Sequence, residues 1–403
     1  MGKNIVICLD GTNNQLKAAV NTNVVRLFSM LDLKDPARQV GYYDPGVGTF
    51  SSPSAWTPVA RTTSRYAGLM FGAGLRQNLG EAYSYLIDAY EPGDHIYVFG
   101  FSRGAYTARA LTGMLDVFGV FRPGSGNLVP YAVNAFARQH DRPRDDERQR
   151  AAKKEFFEGL RVYAKTHAVD REAHVDVHFV GLWDTVKAAG TIGRQLRWPF
   201  TRQLPHAHTI RHAVSIDEKR RPFAAYLVET PNPSHIKVCR SQDLVEVWFA
   251  GVHSDIGGMF ATGTRLSDIA LKWMVDEAMG KGLWVRPRAY TDMVKALEGI
   301  DPAGPIHVNK GLWGLLGPGT RTVPDGALVH GSVQERLDSA GFHGNRVPER
   351  HTVVDAAWRT ARKVPKPQKP APRSQPLTPA LPSQNRRQHG AQPSPAGHPP
   401  LER

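Results

Sequence analysis

Apolar residues along this chain fall into two alternating rhythms. Short runs rich in β-favouring residues recur at Asn4 to Leu9, Gln39 to Tyr43, His95 to Phe99, Val175 to Trp183 and Leu244 to Ala250. Between them, apolar residues fall three or four apart. Val24, Val25, Leu27, Phe28 and Leu31 follow Thr22 and Asn23, either of which can cap a helix. Leu79, Ala82, Tyr83, Leu86, Ile87 and Tyr90 mark one side of a helix over 75–90. Ala105 to Leu115, Glu147 to Lys165 and Asp268 to Met279 read the same way, the last behind a Ser267 cap. Strand runs that alternate with helices predict an α/β protein with a doubly wound, mainly parallel sheet covered on both faces. His208 to Ser215 is expected as a short helix, Ser51 to Thr63 as a loop, 124–146 as irregular and 282–326 as mostly loop. Val333 to Leu337 and Val353 to Arg362 read as the last ordered pieces.

The junction of the third run with the helix after it carries the first chemical signal. Gly100-Phe101-Ser102-Arg103-Gly104 is a G-x-S-x-G between a strand and a helix, the pattern of a nucleophile elbow, and it points to an α/β-hydrolase-like sheet. A serine hydroxyl needs a base to take its proton, and the base needs an acid to fix its tautomer. In a doubly wound hydrolase these follow in the order Ser, Asp or Glu, His, each where a strand ends. Asp184 follows VDVHFVGLW and His253 follows LVEVWFAGV, both in that order after Ser102. Asp217 and Asp255 are alternative acids, Asp255 also as a support for His253, and His330 is an alternative base. The Arg103 N–H supplies one oxyanion donor, and the loop Asp10-Gly11-Thr12 after the first strand can supply another. That loop also resembles the D-x-D-G-T of phosphatases, but Cys8 stands where their nucleophilic aspartate would be. Asp10 can equally shape its turn by bonding its own backbone.

Composition narrows the classes. The chain has 403 residues, 41% hydrophobic and 22% charged, enough for a sizeable soluble core. Its net charge of +14 is uneven, because Arg362 to Arg403 holds eight basic residues against Glu402 alone. The remaining excess is spread thinly and no nucleic-acid-binding motif is present, so no nucleic-acid partner is expected. Eleven of the thirty prolines follow Val364, and this stretch has almost no large apolar residues. Residues 363–403 are therefore expected to be a disordered basic tail behind a 1–362 catalytic domain, with 124–170 and 284–325 as candidate lid segments. Two cysteines cannot build a disulfide framework, and Cys8 reads as a buried thiol. No metal-ligand spacing, nucleotide loop or cofactor motif appears, so no metal or cofactor is expected. No signal peptide and no run of about 18 apolar residues is seen, which predicts a cytoplasmic chain, with signal-peptide-independent secretion left open.

The motifs CLDGTNN, YDPGVGT, GFSRGAYTAR, FVGLWDTV, SIDEKRRPF, WFAGVHSDIGG and LSDIALKWM occur in that order from Asn4 towards His330. Together they resemble the bacterial and fungal α/β-hydrolase family long called a domain of unknown function, which includes the first class of type VI secretion lipase effectors. The resemblance implies a Ser-Asp-His hydrolase of esters, with phospholipase activity in the secreted members. Carried over by motif, the three residues are Ser102, Asp184 and His253. The partner implied is an ester or phospholipid substrate, met through transient contact with a membrane surface. A small-ester or thioester hydrolase and a non-catalytic interaction module are the other readings, and the sequence leaves the oligomeric state open.

Overall fold

A computed structural model describes residues 2–11, 21–46, 64–138, 147–169, 174–187, 198–229, 242–260, 265–308, 319–339 and 346–364. In chain order the elements are β1 (Asn4–Leu9), α1 (Asn23–Met30), β2 (Gln39–Asp44), α2 (Ser64–Ala89), β3 (His95–Phe101) and α3 (Arg103–Phe118). Next come α4 (Val129–Arg138), α5 (Glu147–His167), β4 (Val177–Trp183), β5 (Ala207–Ser215) and β6 (Asp243–Phe249). The described chain finishes with α6 (His253–Gly257), α7 (Leu266–Gly280), α8 (Pro287–Lys295), β7 (Ala327–His330), α9 (Gly331–Asp338) and β8 (His351–Val354). The eight strands form one sheet in the order β2-β1-β3-β4-β5-β6-β7-β8, and every pair is parallel. All strands therefore end on the same edge of the sheet. The predicted α/β architecture is the one found.

Strand alternation divides the apolar residues between two cores. Ile5, Ile7 and Leu9 of β1 and Ile96 and Val98 of β3 face α2, α3, α4 and α5. Val6 and Cys8 of β1 and Tyr97, Phe99 and Phe101 of β3 face α1, α7 and α8. Cys8 is a fully buried free thiol whose pKa burial pushes up, with Asp10 adding to the effect. Thr22 caps α1, its Oγ1 accepting the Val25 N–H at 3.3 Å.

Four segments depart from the sequence pattern. His208 to Ser215, expected as a helix, is most of β5, a central strand bonded to β4 and β6. Its β-branched Thr209, Ile210 and Val214 favour the strand. Its polar members are buried with partners instead of facing water: Arg211 bonds Asp243 and Glu277, and His212 bonds Glu246 at 2.7 Å. Helix α4 lies inside the stretch expected to be irregular. Helix α8 lies inside the expected loop, opened by Pro287, a residue that suits the first helical turn. Helix α7 begins at Leu266, so Ser267 is inside it; Arg265 occupies the cap, and Asp268 in the first turn reaches Arg26 of α1 at 2.5 Å. Phe157, Leu160 and Ala164 of α5 belong to one core, and Tyr290 and Met293 of α8 to the other. The 51–63 loop and everything beyond 364 lie outside the described residues, as does Thr12.

Candidate active site

Three side chains meet where β3, β4 and β6 end. Ser102 joins β3 to α3 with φ 59° and ψ −120°, a backbone that L-residues adopt only under constraint. Two close approaches enforce the turn. A Cβ on Gly104 would lie 2.2 Å from the Leu9 carbonyl oxygen, and one on Gly100 would lie 2.5 Å from the Gly104 carbonyl oxygen. Both positions must be glycine for α3 to start this close to β1 and β3. The Ser102 N–H donates to the Trp183 carbonyl at 3.0 Å, tying the turn to the end of β4.

His253 opens α6 after the β6 strand and is 4% exposed. Its Nε2 lies 2.8 Å from Ser102 Oγ, and its Nδ1 lies 2.5 Å from Asp184 Oδ2. Asp184 is an anion, so Nδ1 carries the proton and donates; the Nε2 lone pair is left to accept from the Ser102 hydroxyl. Phe101 and Phe223 flank the ring at centroid distances of 4.7 and 5.0 Å. Burial pulls the His253 pKa below its ordinary value; the hydrogen bond and charge of Asp184 oppose this, while Arg321 and Arg220 add to it. The ring is therefore neutral at neutral pH. The His253 N–H donates to Glu218 Oε2 at 3.2 Å, and Asp255 Oδ2 accepts the Val252 N–H at 3.0 Å, so two carboxylates fix the turn that presents the ring.

Asp184, fully buried, also has a positive φ of 40°. Burial would raise its pKa, but the Arg321 charge and the His253 contact overcome burial and hold the carboxyl well below the usual range. Arg321 Nη1 donates to Oδ1 at 2.5 Å and Nη2 to Oδ2 at 3.0 Å, a bidentate pair. The same guanidinium donates to the carbonyls of Ser215 and Phe223 at 2.9 and 3.0 Å. Oδ1 further accepts the Ser215 N–H at 2.9 Å. Beneath it, the Thr185 N–H donates to His212 Nε2 at 3.2 Å, and His212 Nδ1–H donates to Glu246.

The loop after β1 is organised by Asp10. Its Oδ1 accepts the Gly11 N–H at 2.6 Å, and its Oδ2 accepts the hydroxyls of Thr22 at 2.5 Å and Tyr43 at 3.0 Å. The Gly11 N–H is thus engaged by its neighbour's carboxylate. Next to it, Asp44 ends β2 as a carboxyl 4% exposed, whose pKa burial raises to about 6 against the opposing bond from the Gly46 N–H. Arg103 opens α3, in the turn whose N–H groups a helix leaves for outside acceptors. Burial brings its side chain down to about 10, so it remains charged at neutral pH.

The alternative residues sit elsewhere. His330 caps α9, bonding Ser332 and Asp355 and stacking on Phe249 at 4.5 Å. Asp217 Oδ2 accepts the Gly251 N–H, and Asp255 pairs with His307 at 2.6 Å. Asp255 supports the His253 turn and Asp184 meets the ring. Arg321 and His212 lie in none of the motifs, and Glu218 and Asp44, although within SIDEKRRPF and YDPGVGT, have no role there that the pattern predicts; burial and contacts single out all four.

A strained serine at a strand-to-helix turn, at the carboxyl edge of a doubly wound parallel sheet, defines a protein of the α/β-hydrolase type. More narrowly, residues 3–277 match the family described as T6SS, phospholipase effector Tle1-like, catalytic domain, and the chain belongs to that family. An uncharacterized protein of Saccharomyces cerevisiae, YEL023C, is 34% identical over 237 residues, which cover 58% of this chain and 33% of that protein. The chain thus spans about a third of that relative's length. Two solved structures are also similar. One is an uncharacterized protein from Pseudomonas aeruginosa, 18% identical, TM-score 0.42, covering 72% of this chain and 48% of that one. The other is the Tle1 effector bound to the VgrG spike of the Type 6 secretion system, 17% identical, TM-score 0.31, covering 64% and 51%. Among the described residues, no helix is long and apolar enough to cross a membrane.

Proposed function

We propose that this chain hydrolyses carboxylic esters of phospholipids through an acyl-enzyme on Ser102, with His253 as base and then acid and Asp184 holding its tautomer. The observation that carries this reading is the unbroken line of contacts from Asp184 through His253 to Ser102, at 2.5 and 2.8 Å, on a serine held at positive φ. Family membership supports the lipid class of substrate.

In the proposed reaction Ser102 Oγ attacks the ester carbonyl carbon while His253 Nε2 takes the hydroxyl proton. The carbonyl oxygen becomes an anion, held by the Arg103 N–H and by a second donor from the loop after β1, that of Thr12, since Asp10 engages the Gly11 N–H. Collapse breaks the ester C–O bond, and the departing alcohol takes the proton from His253. Water then repeats the sequence on the acyl-enzyme, releasing a carboxylic acid and restoring the serine. Asp184 stays ionised throughout, because the bidentate Arg321 pair stabilises its charge.

Mixed phospholipid vesicles incubated with the wild type and with Ser102→Ala test the proposal directly. Fatty acid and lysolipid should appear with the wild type, and Ser102→Ala should lower the rate on the order of 10⁴-fold or more. Turnover of short nitrophenyl esters without lipid release would retain the serine chemistry and remove the lipid. Equal turnover by the two proteins would overturn the assignment of Ser102.

A further inference from the structure

The opposite edge of the sheet, where β4 and β5 begin, gathers a second set of imidazoles and carboxylates that the ester chemistry does not use. His174 and Asp176 precede β4, His206 precedes β5, and Asp116 lies in the last turn of α3. One donor atom from each of His174, Asp176 and His206 lies within 4.8 Å of the other two. The His174 and His206 rings stack at 4.3 Å, and Asp176 Oδ1 is 3.1 Å from His206 Nδ1. Its other oxygen is 3.1 Å from Nε2 of His208, which lines, with His174, Asp176, His95 and His178, a cleft of about 310 Å³.

The orientation of His206 is the informative detail. Its Nε2 lies 2.9 Å from Oδ1 of the buried Asp116, so Nε2–H donates there and Nδ1 is turned towards Asp176 and His174. Asp116 Oδ2, also buried, has no hydrogen-bond partner among the described residues. Donating to carboxylates at both nitrogens takes a second ring proton; a metal ion on the Nδ1 side would take that proton's place and leave Nε2–H to Asp116. A histidine that ligates through one nitrogen and donates through the other to a carboxylate is the usual arrangement around zinc, because it fixes the ring and raises its basicity. The 3.1 Å between Asp176 Oδ1 and His206 Nδ1 is already close to the edge of a zinc tetrahedron, about 3.3 Å for bonds of about 2.0 Å.

We propose that His174, Asp176 and His206 form a site for a divalent transition metal, zinc by preference, with Asp116 as the positioning residue behind His206 and the cleft offering the remaining position. Two imidazoles and one carboxylate suit zinc, cobalt or nickel and disfavour calcium and magnesium, which take oxygen ligands. Such an ion joins the lead-ins of two central strands to α3 at the edge remote from Ser102. The site therefore stands independently of the ester-hydrolase reading.

The test uses the full chain after chelator treatment, titrated calorimetrically with zinc and optically with cobalt. Expected are one tight equivalent of zinc, visible absorption of tetrahedral cobalt, no competition from calcium, and a melting temperature that rises with zinc concentration. His174→Ala and Asp176→Asn should each abolish the tight equivalent. Asp116→Asn, which touches no ion, should weaken it by about 10- to 100-fold. His174 is partly exposed, so its removal tests the site even if His206→Ala fails to fold. Equal zinc affinity in wild type, His174→Ala and Asp176→Asn would assign the binding to other histidines among the sixteen and overturn the proposal. No saturable binding below millimolar zinc would also overturn it, leaving an ion-pair clamp around a protonated His206.

Discussion

At the carboxyl edge of the sheet His253 lies between an acid and a hydroxyl; at the amino edge His206 lies between two acids. An imidazole between Asp184 and Ser102 has different partners on its two nitrogens, so a proton can leave one side while the charge is compensated on the other. An imidazole between Asp116 and Asp176 has like partners and serves to hold positive charge in place. The backbone differs in the same sense. Ser102 and Asp184 both have positive φ, and Asp116, His174, Asp176 and His206 do not. Each such residue costs on the order of 1–3 kcal/mol, which the surrounding structure must offset. Positive φ is not confined to that edge, since Phe200 and Leu204 in the lead-in to β5 share it, but only at Ser102 and Asp184 does it fall on the residues proposed to react.

The contrast can be broken most sharply at Asp184. Asp184→Asn keeps the shape but removes the charge that sets the His253 tautomer, and turnover should fall on the order of 10⁴-fold in kcat. Steady-state kinetics on a soluble ester would check it, and a drop below tenfold would show that another acid serves His253. Arg321→Met comes next. It leaves a buried carboxylate without its cation and should destabilise the fold by about 3–5 kcal/mol, read from denaturant unfolding. It also removes a positive charge that depresses the His253 pKa. The wild-type rate should fall with acid only below the ordinary imidazole range, since His253 must be neutral to act as base, and in Arg321→Met that acid limb should move to higher pH. An unmoved limb would make Arg321 purely structural.

A smaller effect concerns Asp44. Its folded pKa of about 6 lies above the unfolded value of 3.8, so the folded state binds more protons between these values. Its contribution is therefore lost stability as pH rises from about 4 to 6, with the full cost present above that. Asp44→Asn, which keeps the acceptor for Gly46 and Asn78, should raise stability by about 1–3 kcal/mol at pH 8 and by almost nothing below pH 4. Urea titrations at the two pH values would decide. A gain that persists unchanged in acid would point to packing instead of charge.

The sequence made the carboxyl edge readable because each of Ser102, Asp184 and His253 interrupts the end of a long apolar run, and parallel strands bring such ends together. Asp10 was readable as a turn former for the same reason. Arg321 was not, since it sits in a loop with no periodicity and reaches Asp184 across 137 positions of sequence. Arg211 and His212 mislead, because a polar pair in a run suggests a solvent-facing helix until their partners Glu246, Glu277 and Asp243 are known. The amino edge was unreadable for a further reason. Asp116, His174, Asp176 and His206 come from three separate segments, and no spacing along the chain anticipates their meeting.

The position of Arg321 sets a schedule for biosynthesis. A ribosome that has delivered β1 through α7 has already released the serine, the acid and the histidine, together with the span that matches the family. At that moment Asp184 still lacks its counter-ion, and the nascent chain holds an assembled but unsupported set of reactive groups. Competence then waits for the loop before β7, so the proposed hydrolase would stay quiet until Arg321 has been made. A chain stopped after residue 277 should consequently react with a fluorophosphonate label far more slowly than the full chain.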